Sequence, residues 1–207
     1  MSNIATLRNN WESLAKRDAL HAILTDETKV GGKWSVAEFM ATGVAEIDMV
    51  MQHLATLGCV PDRNGTALDF GCGVGRLTQA LGSRFATCVG VDISQAMIEK
   101  AESINQRSNC RYVTNSDSLL PFPEETFSFI YSNIVLQHIP ARFAKEYLRE
   151  FVRVLSPGGI LVFGVQDSFA APTLSALAIR VRHIIHLRSR VKELLKIIEL
   201  EPPLKFE

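Results

Sequence analysis

Short runs of β-type residues alternate with amphipathic helical segments from residue 66 onward. The candidate strands span residues 66–70, 87–91, 111–113, 127–132 and 160–165. The segments between them carry hydrophobic residues at helical spacing, most clearly in the series Phe143, Tyr147, Leu148, Phe151, Val152 and Leu155. Parallel strands need long crossover connections, which are usually helices, so this alternation predicts an α/β fold with a doubly wound, mostly parallel sheet.

Residues 1–64 are expected to form an N-terminal helical segment that flanks the sheet or closes over its edge as a lid. Two hydrophobic series recur there at helical spacing: Leu7, Trp11, Leu14 and Ala15, then Val44, Ile47, Met51 and Leu54. Ser35 and Glu38 form an S-x-x-E capping box, which predicts a helix start. Residues 60–65 have the Pro, Asp, Asn and Gly composition of a loop, so the core domain is predicted over residues 65–170.

Residues 171–207 are predicted to form a basic amphipathic helix and a tail. Residues 173–199 contain Arg180, Arg182, Arg188, Arg190, Lys192 and Lys196 among many Leu, Ile and Val residues. We expect a solvated helix with its apolar side on the sheet, in preference to a membrane or nucleic-acid patch. As an alternative, this helix covers an open sheet edge or pairs with a second copy of the chain in a homodimer.

Composition narrows the classes of partner. The chain has 22 Lys plus Arg against 22 Asp plus Glu, and 47% of its 207 residues are hydrophobic. This balance supports a folded core and removes the general attraction to nucleic acid or membrane surfaces expected of a basic protein. The four cysteines lack CxxC spacing and no histidine groups with them, so no zinc site is expected. The N-terminus shows no signal-peptide pattern, which makes a reducing cytoplasm the expected location.

A glycine-rich turn follows the first candidate strand. The sequence DFGCGVG, residues 69–75, ends that strand and leads into a helix with Leu77, Ala80 and Leu81 on one face. Glycines allow a ligand to approach the backbone closely, although they also serve tight turns that bind nothing. Arg76 stands where the GxGxxG fingerprint of nicotinamide dinucleotide sites has its last glycine, so the turn fits that cofactor less well.

Asp92 ends the second candidate strand, 17 residues beyond Gly75. A carboxylate at this place can accept hydrogen bonds from both hydroxyls of a ribose. Its alternative role is a charge near the N-terminus of the next helix, which Ser94 is placed to cap. The turn and Asp92 together predict the nucleotide-binding half of a doubly wound sheet, and an NAD(P)-binding oxidoreductase stays open as an alternative function.

Four features in order resemble the class I S-adenosylmethionine-dependent methyltransferases, especially their small-molecule branch, across residues 66–165. They are the acidic GxGxG loop from Asp69, Asp92 after the second strand, the Asn-Ser-Asp-Ser sequence of residues 115–118, and the Leu-Ser-Pro-Gly-Gly sequence of residues 155–159. The resemblance implies a Rossmann-like fold, S-adenosylmethionine as cofactor and methyl transfer as the activity.

The resemblance also implies roles for individual residues. Asp69 and the glycine-loop backbone would hold the methionine part of the cofactor, Asp92 the ribose and Asp117 the adenine amino group. The whole implied set of cofactor-binding residues is Asp69, Gly71, Cys72, Gly73, Gly75, Arg76, Leu77, Asp92, Ile93, Met97, Asp117, Ser118, Leu119, Asn133, Ile134 and Gln137. For Asp117 a plain turn residue is the alternative, because Asn, Ser and Asp favour turns through their own side-chain hydrogen bonds.

His138 is the candidate general base. Methyl transfer from a sulfonium chiefly requires alignment of donor and acceptor, but a hydroxyl or protonated amine must also lose its proton. Histidine has an intrinsic pKa suited to that task, and the alternative is that His138 only shapes the cofactor pocket or caps a helix.

The acceptor class follows from two absent motifs. Asn133 is not followed by the Pro-Pro-aromatic sequence that similar enzymes use for base amines, and a Pro-Cys nucleophile for pyrimidines is also absent. With the balanced charge, this favours a small molecule methylated at an O or N atom. A noncatalytic binding or scaffold protein of the same fold is the remaining alternative.

The sequence departs from the family pattern on its C-terminal side. The family's sheet normally ends with two further strands in a hairpin, whereas only about forty residues follow Val165 and most of them are helix-like. The terminal hairpin is therefore expected to be missing or truncated.

Overall fold

The computed structural model of the chain describes residues 4–164 and the backbone of residues 184–186. The helices are α1 (Ile4–Ile23), α2 (Val36–Thr56), α3 (Arg76–Gly82), α4 (Gln95–Ser103) and α5 (Ala141–Val154). The strands are β1 (Thr66–Phe70), β2 (Thr87–Asp92), β3 (Cys110–Thr114), β4 (Phe127–Ser132), β5 (Leu155–Phe163) and β6 (Ile184–His186). None of the described helices has the length and hydrophobicity needed to cross a membrane.

The six strands of the described part of the chain form one sheet in the order β3-β2-β1-β4-β5-β6. All pairs from β3 to β5 are parallel. The chain runs outward from β1 to β3, then returns to the centre and runs outward on the other side through β4 and β5. This confirms the predicted doubly wound α/β fold, and it places the reversal of strand order between β1 and β4, where open sheets of this kind bind ligands.

Strand β6 corrects one expectation. Its three residues pair antiparallel with β5, so the continuous helix predicted over residues 173–199 is wrong at residues 184–186. An open sheet edge presents unpaired N–H and C=O groups, and the β-branched Ile184 and Ile185 suit an extended segment that pairs with them. The remainder of the predicted basic helix and tail lies outside the described residues. One antiparallel strand thus follows β5 in the described residues, whereas the sequence predicts a missing or truncated hairpin.

The core has one layer on each face of the sheet. Because side chains alternate along a strand, Leu68 and Phe70 of β1 pack on one face with α5 residues such as Phe151, whereas Ala67 faces the other. Helix α2 packs on that second face with its buried side chains, among them Ile47, Val50 and Leu54. Within the N-terminal segment, α2 is therefore part of the core of the sheet.

Helix α2 starts where the capping box predicts. The Ser35 side chain accepts a hydrogen bond from the Glu38 N–H at 3.2 Å, and the helix begins at Val36. Helix α1 ends at Ile23 and packs by Ala19 and Leu20 against Phe39 of α2 and Val74 of the glycine turn. Helix α1 therefore contacts the glycine turn at the carboxyl end of β1, whereas α2 packs mainly on the face of the sheet.

Candidate functional site

A cavity of about 620 Å³ lies at the carboxyl ends of β1, β2 and β4. Its walls include twelve of the residues singled out in the sequence: Gly71, Cys72, Gly73, Arg76, Leu77, Asp92, Ile93, Met97, Asn133, Ile134, Gln137 and His138. They come from three separate loops that parallel strands bring to one edge. The volume lies within the range of small-molecule and cofactor sites.

The glycine turn, residues 71–75, forms the floor of this cavity beside β1. Gly71 and Gly73 have φ angles of 77° and 52°, a left-handed conformation that favours glycine. A side chain at Gly71 would meet Val135, and one at Gly73 would meet the Ile23 Cδ1 atom at 2.5 Å. The turn thus exposes bare backbone to the cavity. The Val135 side chain lies against Gly71, and the Ile23 side chain lies against Gly73.

Gly75, the last glycine of the turn, differs from the expectation because it does not line the cavity. It is the N-cap residue of α3, and a Cβ there would lie 2.5 Å from the Tyr112 hydroxyl oxygen of β3. Its missing side chain therefore lets α3 begin close to the sheet, which is a packing role behind the cavity-facing part of the turn.

Asp92 joins the end of β2 to the glycine turn. Its Oδ2 atom accepts a hydrogen bond from the Gly73 N–H at 2.8 Å, and its Oδ1 atom accepts one from the Ser94 N–H at 2.9 Å. Each carboxylate oxygen has a second lone pair, so Asp92 retains acceptor capacity toward the cavity that it lines. Burial raises the pKa of Asp92, and the Ser94 and Gly73 N–H groups oppose that rise.

The capping role offered as an alternative for this region belongs to Ser94. Its Oγ atom accepts a hydrogen bond from the Met97 N–H at 3.2 Å at the start of α4. The Asp92 side chain is bonded to backbone N–H groups of the two loops at the cavity edge, and it lines the space in which a ligand would lie.

Asp69 has a different position from the one expected. It is 1% exposed and does not line the cavity. Its Oδ2 atom accepts a hydrogen bond from the Thr78 hydroxyl at 2.6 Å, so it ties β1 to α3 behind the glycine turn. Burial raises the pKa of Asp69 to about 7, against the lowering effect of the Thr78 hydrogen bond. Its side chain alternates with Leu68 and Phe70 and points to the opposite face of the strand, which takes it away from the cavity.

The residues after β3 also differ from the expectation. Asp117, Ser118 and Leu119 do not line the cavity, and Leu119 is 63% exposed. The Asp117 carbonyl accepts a hydrogen bond from the Tyr147 hydroxyl at 3.0 Å, and the Asp117 side chain is exposed. Asn115 is the cavity-lining residue of this loop. The loop leaves β3 at Thr114, and the Asn115 side-chain amide donates to the Asp117 and Leu119 carbonyls, so the loop turns back on itself directly after the strand.

The segment after β4 carries a titratable side chain at the solvent-exposed part of the cavity wall. His138 lies in a short 3₁₀ helix, Leu136–His138, and is exposed. Its ring contacts Trp11 of α1 edge-to-face with centroids 5.8 Å apart, and its Nε2 atom lies 3.4 Å from the Gln137 Nε2 atom. Partial desolvation by the surrounding protein lowers the pKa of His138, so the ring is neutral at pH 7 and able to accept a proton.

Helix α1 forms a wall that the sequence motifs did not identify. Leu7, Trp11 and Leu14 line the cavity, and His21 and Thr25 reach it from the end of the helix. The periodicity of Leu7, Trp11 and Leu14 predicts a buried face but does not say what that face covers. Their contact with the cavity depends on how α1 docks.

Glu46 of α2 is a second residue that motif reasoning missed. Its carboxylate is bonded to the Arg76 Nη2 atom at 2.8 Å, the Tyr131 hydroxyl at 2.8 Å and the Asn133 Nδ2 atom at 2.9 Å. The side chains of Arg76 and Glu46 are 5% and 8% exposed. The available signal was an acidic residue in helical phase with Phe39, Gly43 and Val50 on the buried face of α2.

The part of the chain that contains most of the cavity-lining loops is similar to known methyltransferases. A family described as a methyltransferase domain matches residues 68–163. The trans-aconitate 2-methyltransferase of Methylobacterium radiotolerans is 35% identical over 109 residues, which cover 52% of this chain and 40% of that protein. The ubiquinone/menaquinone biosynthesis C-methyltransferase UbiE of Citrobacter koseri is 34% identical over 119 residues, which cover 52% of this chain and 45% of that protein. The alignments thus span less than half the length of both relatives.

The fold is also found in solved methyltransferase structures. Phosphoethanolamine N-methyltransferase 1 of Haemonchus contortus superimposes with a TM-score of 0.59 at 18% identity, over 78% of this chain and 33% of that chain. The matched family segment runs from β1 to β5 and contains the glycine turn, Asp92 and the loop after β4. The part of the chain from β1 to β5 is therefore similar to methyltransferases.

Proposed function

We propose that this chain is an S-adenosylmethionine-dependent methyltransferase that transfers a methyl group to an O or N atom of a small molecule. The observation that carries the proposal is the meeting of Asp92, the bare glycine backbone and His138 on the walls of one cavity. These three features suit a ribose, the amino-acid end of a cofactor and an acceptor that must lose a proton, respectively.

The residues present fit the cofactor. Asp92 would accept hydrogen bonds from the ribose hydroxyls, and the backbone at Gly71 and Gly73 would face the methionine part. Arg76 lines the cavity with a buried Nε–H that has no partner among the described residues, so it suits a carboxylate oxygen. When bound, the cofactor supplies the methyl group, and the thioether S-adenosylhomocysteine is the leaving group. Asp69 would support the turn from behind, and Asn115 takes the cavity position expected of Asp117.

His138 is proposed as the group that takes the proton of the acceptor. The Gln137 Nε2 atom can only donate, so the contact at 3.4 Å favours a neutral ring whose lone pair is on the His138 Nε2 atom. Trp11 packs against the ring and limits its motion. This arrangement keeps the ring oriented at the mouth of the cavity, where an acceptor hydroxyl or amine would enter.

The walls of the cavity favour an acceptor with an apolar part. Leu7, Trp11, Leu14 and Ile23 of α1 line the cavity, and this helix would act as the lid expected of the N-terminal segment. Similarity to methyltransferases alone does not choose the acceptor atom, because the relatives include a C-methyltransferase and an N-methyltransferase by name.

A cofactor titration followed by an acceptor screen tests the proposal. Calorimetry should show saturable binding of S-adenosylmethionine and S-adenosylhomocysteine and none of NAD. Binding of NAD alone would support the oxidoreductase alternative, and indifference to all three would support a noncatalytic scaffold. Purified chain with radiolabelled methyl donor should then label small hydroxyl or amine compounds, and labelling only at carbon would contradict the choice of acceptor atom.

A further inference from the structure

Glu46 bridges the two sides of the point where strand order reverses. Arg76 is the first residue of α3, directly after the glycine turn that follows β1. Asn133 directly follows β4, the neighbouring strand in the sheet. Both side chains line the cavity, and Glu46 is hydrogen-bonded to both of them from α2. One carboxylate thus connects the loops of the two central strands.

The bonds of Glu46 use both of its oxygens. The Oε2 atom accepts from Arg76, and the Oε1 atom accepts from Tyr131 and Asn133. Buried carboxylates hold their partners tightly, because charge-assisted hydrogen bonds are stronger when water is excluded. The partners have few other anchors: Arg76 has one further bond to the Thr42 hydroxyl at 3.3 Å, and its Nε–H has no partner among the described residues.

The backbone beside Asn133 is strained. Ile134 has a φ angle of 59°, a left-handed conformation that is a true outlier for a β-branched residue. Such strain persists only where the surroundings determine the conformation on both sides. Here Glu46 holds Asn133 on one side, and the His138 N–H donates to the Val135 carbonyl at 2.9 Å on the other. The strained residue lines the cavity, so the conformation held by Glu46 shapes the site.

We propose that Glu46 is the positioning residue of this site: by binding Arg76 and Asn133 together, it sets the distance between the glycine-turn side and the β4 side of the cavity. This inference rests on the proposed function, because what is positioned is the seat of the cofactor. Glu46 lies outside residues 68–163 that match the family, so the role belongs to the N-terminal segment of this chain. Glu46 itself does not line the cavity.

The test measures binding of S-adenosylhomocysteine by calorimetry to the full chain and to Glu46→Gln. The substitution removes the charge beside Arg76, and its amide N–H replaces one acceptor oxygen, so at least one of the three donors loses its acceptor. We expect S-adenosylhomocysteine to bind 10- to 100-fold more weakly. The double variant Glu46→Gln with Asn133→Asp moves the carboxylate to residue 133, where it accepts a hydrogen bond from the amide introduced at residue 46. We expect the double variant to bind S-adenosylhomocysteine at least fivefold more tightly than Glu46→Gln.

A matched control separates positioning from stability. Glu150 also forms an ion pair with an arginine, Arg153, and the Glu150 side chain is 13% exposed. Neither residue of this pair lines the cavity. Glu150→Gln should lower the melting temperature while leaving the dissociation constant within twofold of wild type. Glu46→Asp, which keeps the charge but shortens its reach, replaces Glu46→Gln if the latter does not fold. The same 10- to 100-fold loss is then expected, a loss within twofold would overturn the role of Glu46, and the exchange at Asn133 is not made.

The outcomes are distinguishable from a failure of the proposed function. A wild-type chain that does not bind S-adenosylhomocysteine would overturn the proposed function itself. Wild-type binding with Glu46→Gln within twofold of it would overturn only the role of Glu46. Weak binding that the Asn133→Asp exchange does not recover would also overturn it, because the loss would then not depend on the bridge.

Discussion

Two aspartates near the ends of neighbouring strands differ in their hydrogen-bond partners and in their access to the cavity. Asp92 is bonded to backbone N–H groups and faces the cavity, whereas Asp69 is enclosed behind the glycine turn with the Thr78 hydroxyl. A carboxylate beside oriented N–H donors can serve a ligand, and one enclosed without a partner of full charge is costly to ionise. The same residue type therefore predicts opposite effects of substitution at the two positions.

Asp92→Ala should weaken S-adenosylhomocysteine binding about 100-fold or more, because two charge-assisted hydrogen bonds to the ribose contribute roughly 1.5–3 kcal/mol each. Calorimetric titration measures the change. Asp117→Ala is the informative companion: its side chain is exposed and outside the cavity, so affinity should stay within about threefold of wild type. Equal losses in the two variants would contradict the geometry described for both residues.

Asp69→Asn should raise stability at pH 8. The pKa of Asp69 is raised from 3.8 to about 7 by burial, so the folded chain keeps a proton between these values that the unfolded chain has lost. The contribution of this group to stability therefore falls as pH rises from about 4 to about 7. Asparagine cannot ionise and still accepts from Thr78, so its melting temperature should exceed that of wild type at pH 8 by several degrees. The difference should shrink at pH 4.5, and a difference that is the same at both pH values would contradict this assignment.

His138→Ala should lower kcat by about 100- to 10,000-fold without weakening cofactor binding, the range typical of a lost general base. Partial desolvation lowers the pKa of His138 below 6.5, so the neutral base is present at pH 7 to 8 and is lost as pH falls through that lowered value. In wild type, kcat with an acceptor found by the screen should therefore be flat above pH 7 and decline on the acid side. Unchanged turnover in His138→Ala would remove the residue from the mechanism.

Among the elements, α2 has two tasks. It packs on the sheet through Ile47, Val50 and Leu54, and it carries Glu46 into the site. Its close approach to α3 depends on Gly43, where a Cβ would lie 2.5 Å from the Arg76 carbonyl oxygen. Helix α1 has a simpler task, since its hydrophobic face forms one wall of the cavity.

Gly43→Ala should destabilise the chain, although alanine is favoured over glycine in helices by about 1 kcal/mol. The added Cβ meets backbone, which cannot rotate away, so α2 must shift from α3 and disturb the Glu46–Arg76 pair. Thermal denaturation should show a lower melting temperature. Gln52→Ala, at an exposed position of the same helix, should change stability by less than about 0.5 kcal/mol. A melting temperature that rises in Gly43→Ala would show that the contact relaxes easily.

In the molecule as a whole, the proposed ligand site lies where loops of β1, β2 and β4 meet the N-terminal helices. A ligand bound there contacts distant parts of the chain at once. Binding to the folded state alone stabilises it by mass action, by about 2.7 kcal/mol at a free concentration 100 times the dissociation constant. S-adenosylhomocysteine at that concentration should raise the melting temperature by about 5–10 °C. NAD at the same concentration should leave it unchanged, and an equal shift with NAD would contradict the cofactor assignment.

Local sequence signals were enough to locate the five parallel strands and two of the loops that line the cavity, those after β1 and β4. The candidate strands at residues 66–70 and 127–132 match β1 and β4 residue for residue. This succeeds because hydrophobic runs, glycine turns and capping residues such as Ser35 act within a few residues of chain. The parallel order then places the carboxyl ends of these strands at one edge, so the sequence alone predicts that Gly73, Asp92 and His138 lie together.

Contacts between side chains of different elements depend on how the helices pack on the sheet. Local sequence signals do not encode this packing. The docking of α1 brings Trp11 to His138, and the docking of α2 brings Glu46 to Arg76 and Asn133, pairs separated by 30 to more than 120 residues. The direction of a side chain at a strand end or loop likewise turned Asp69 and Asp117 away from the cavity, and pairing with an open edge made residues 184–186 a strand. Periodicity shows which face of an element is buried, but the partner of that face depends on the packing of the whole chain.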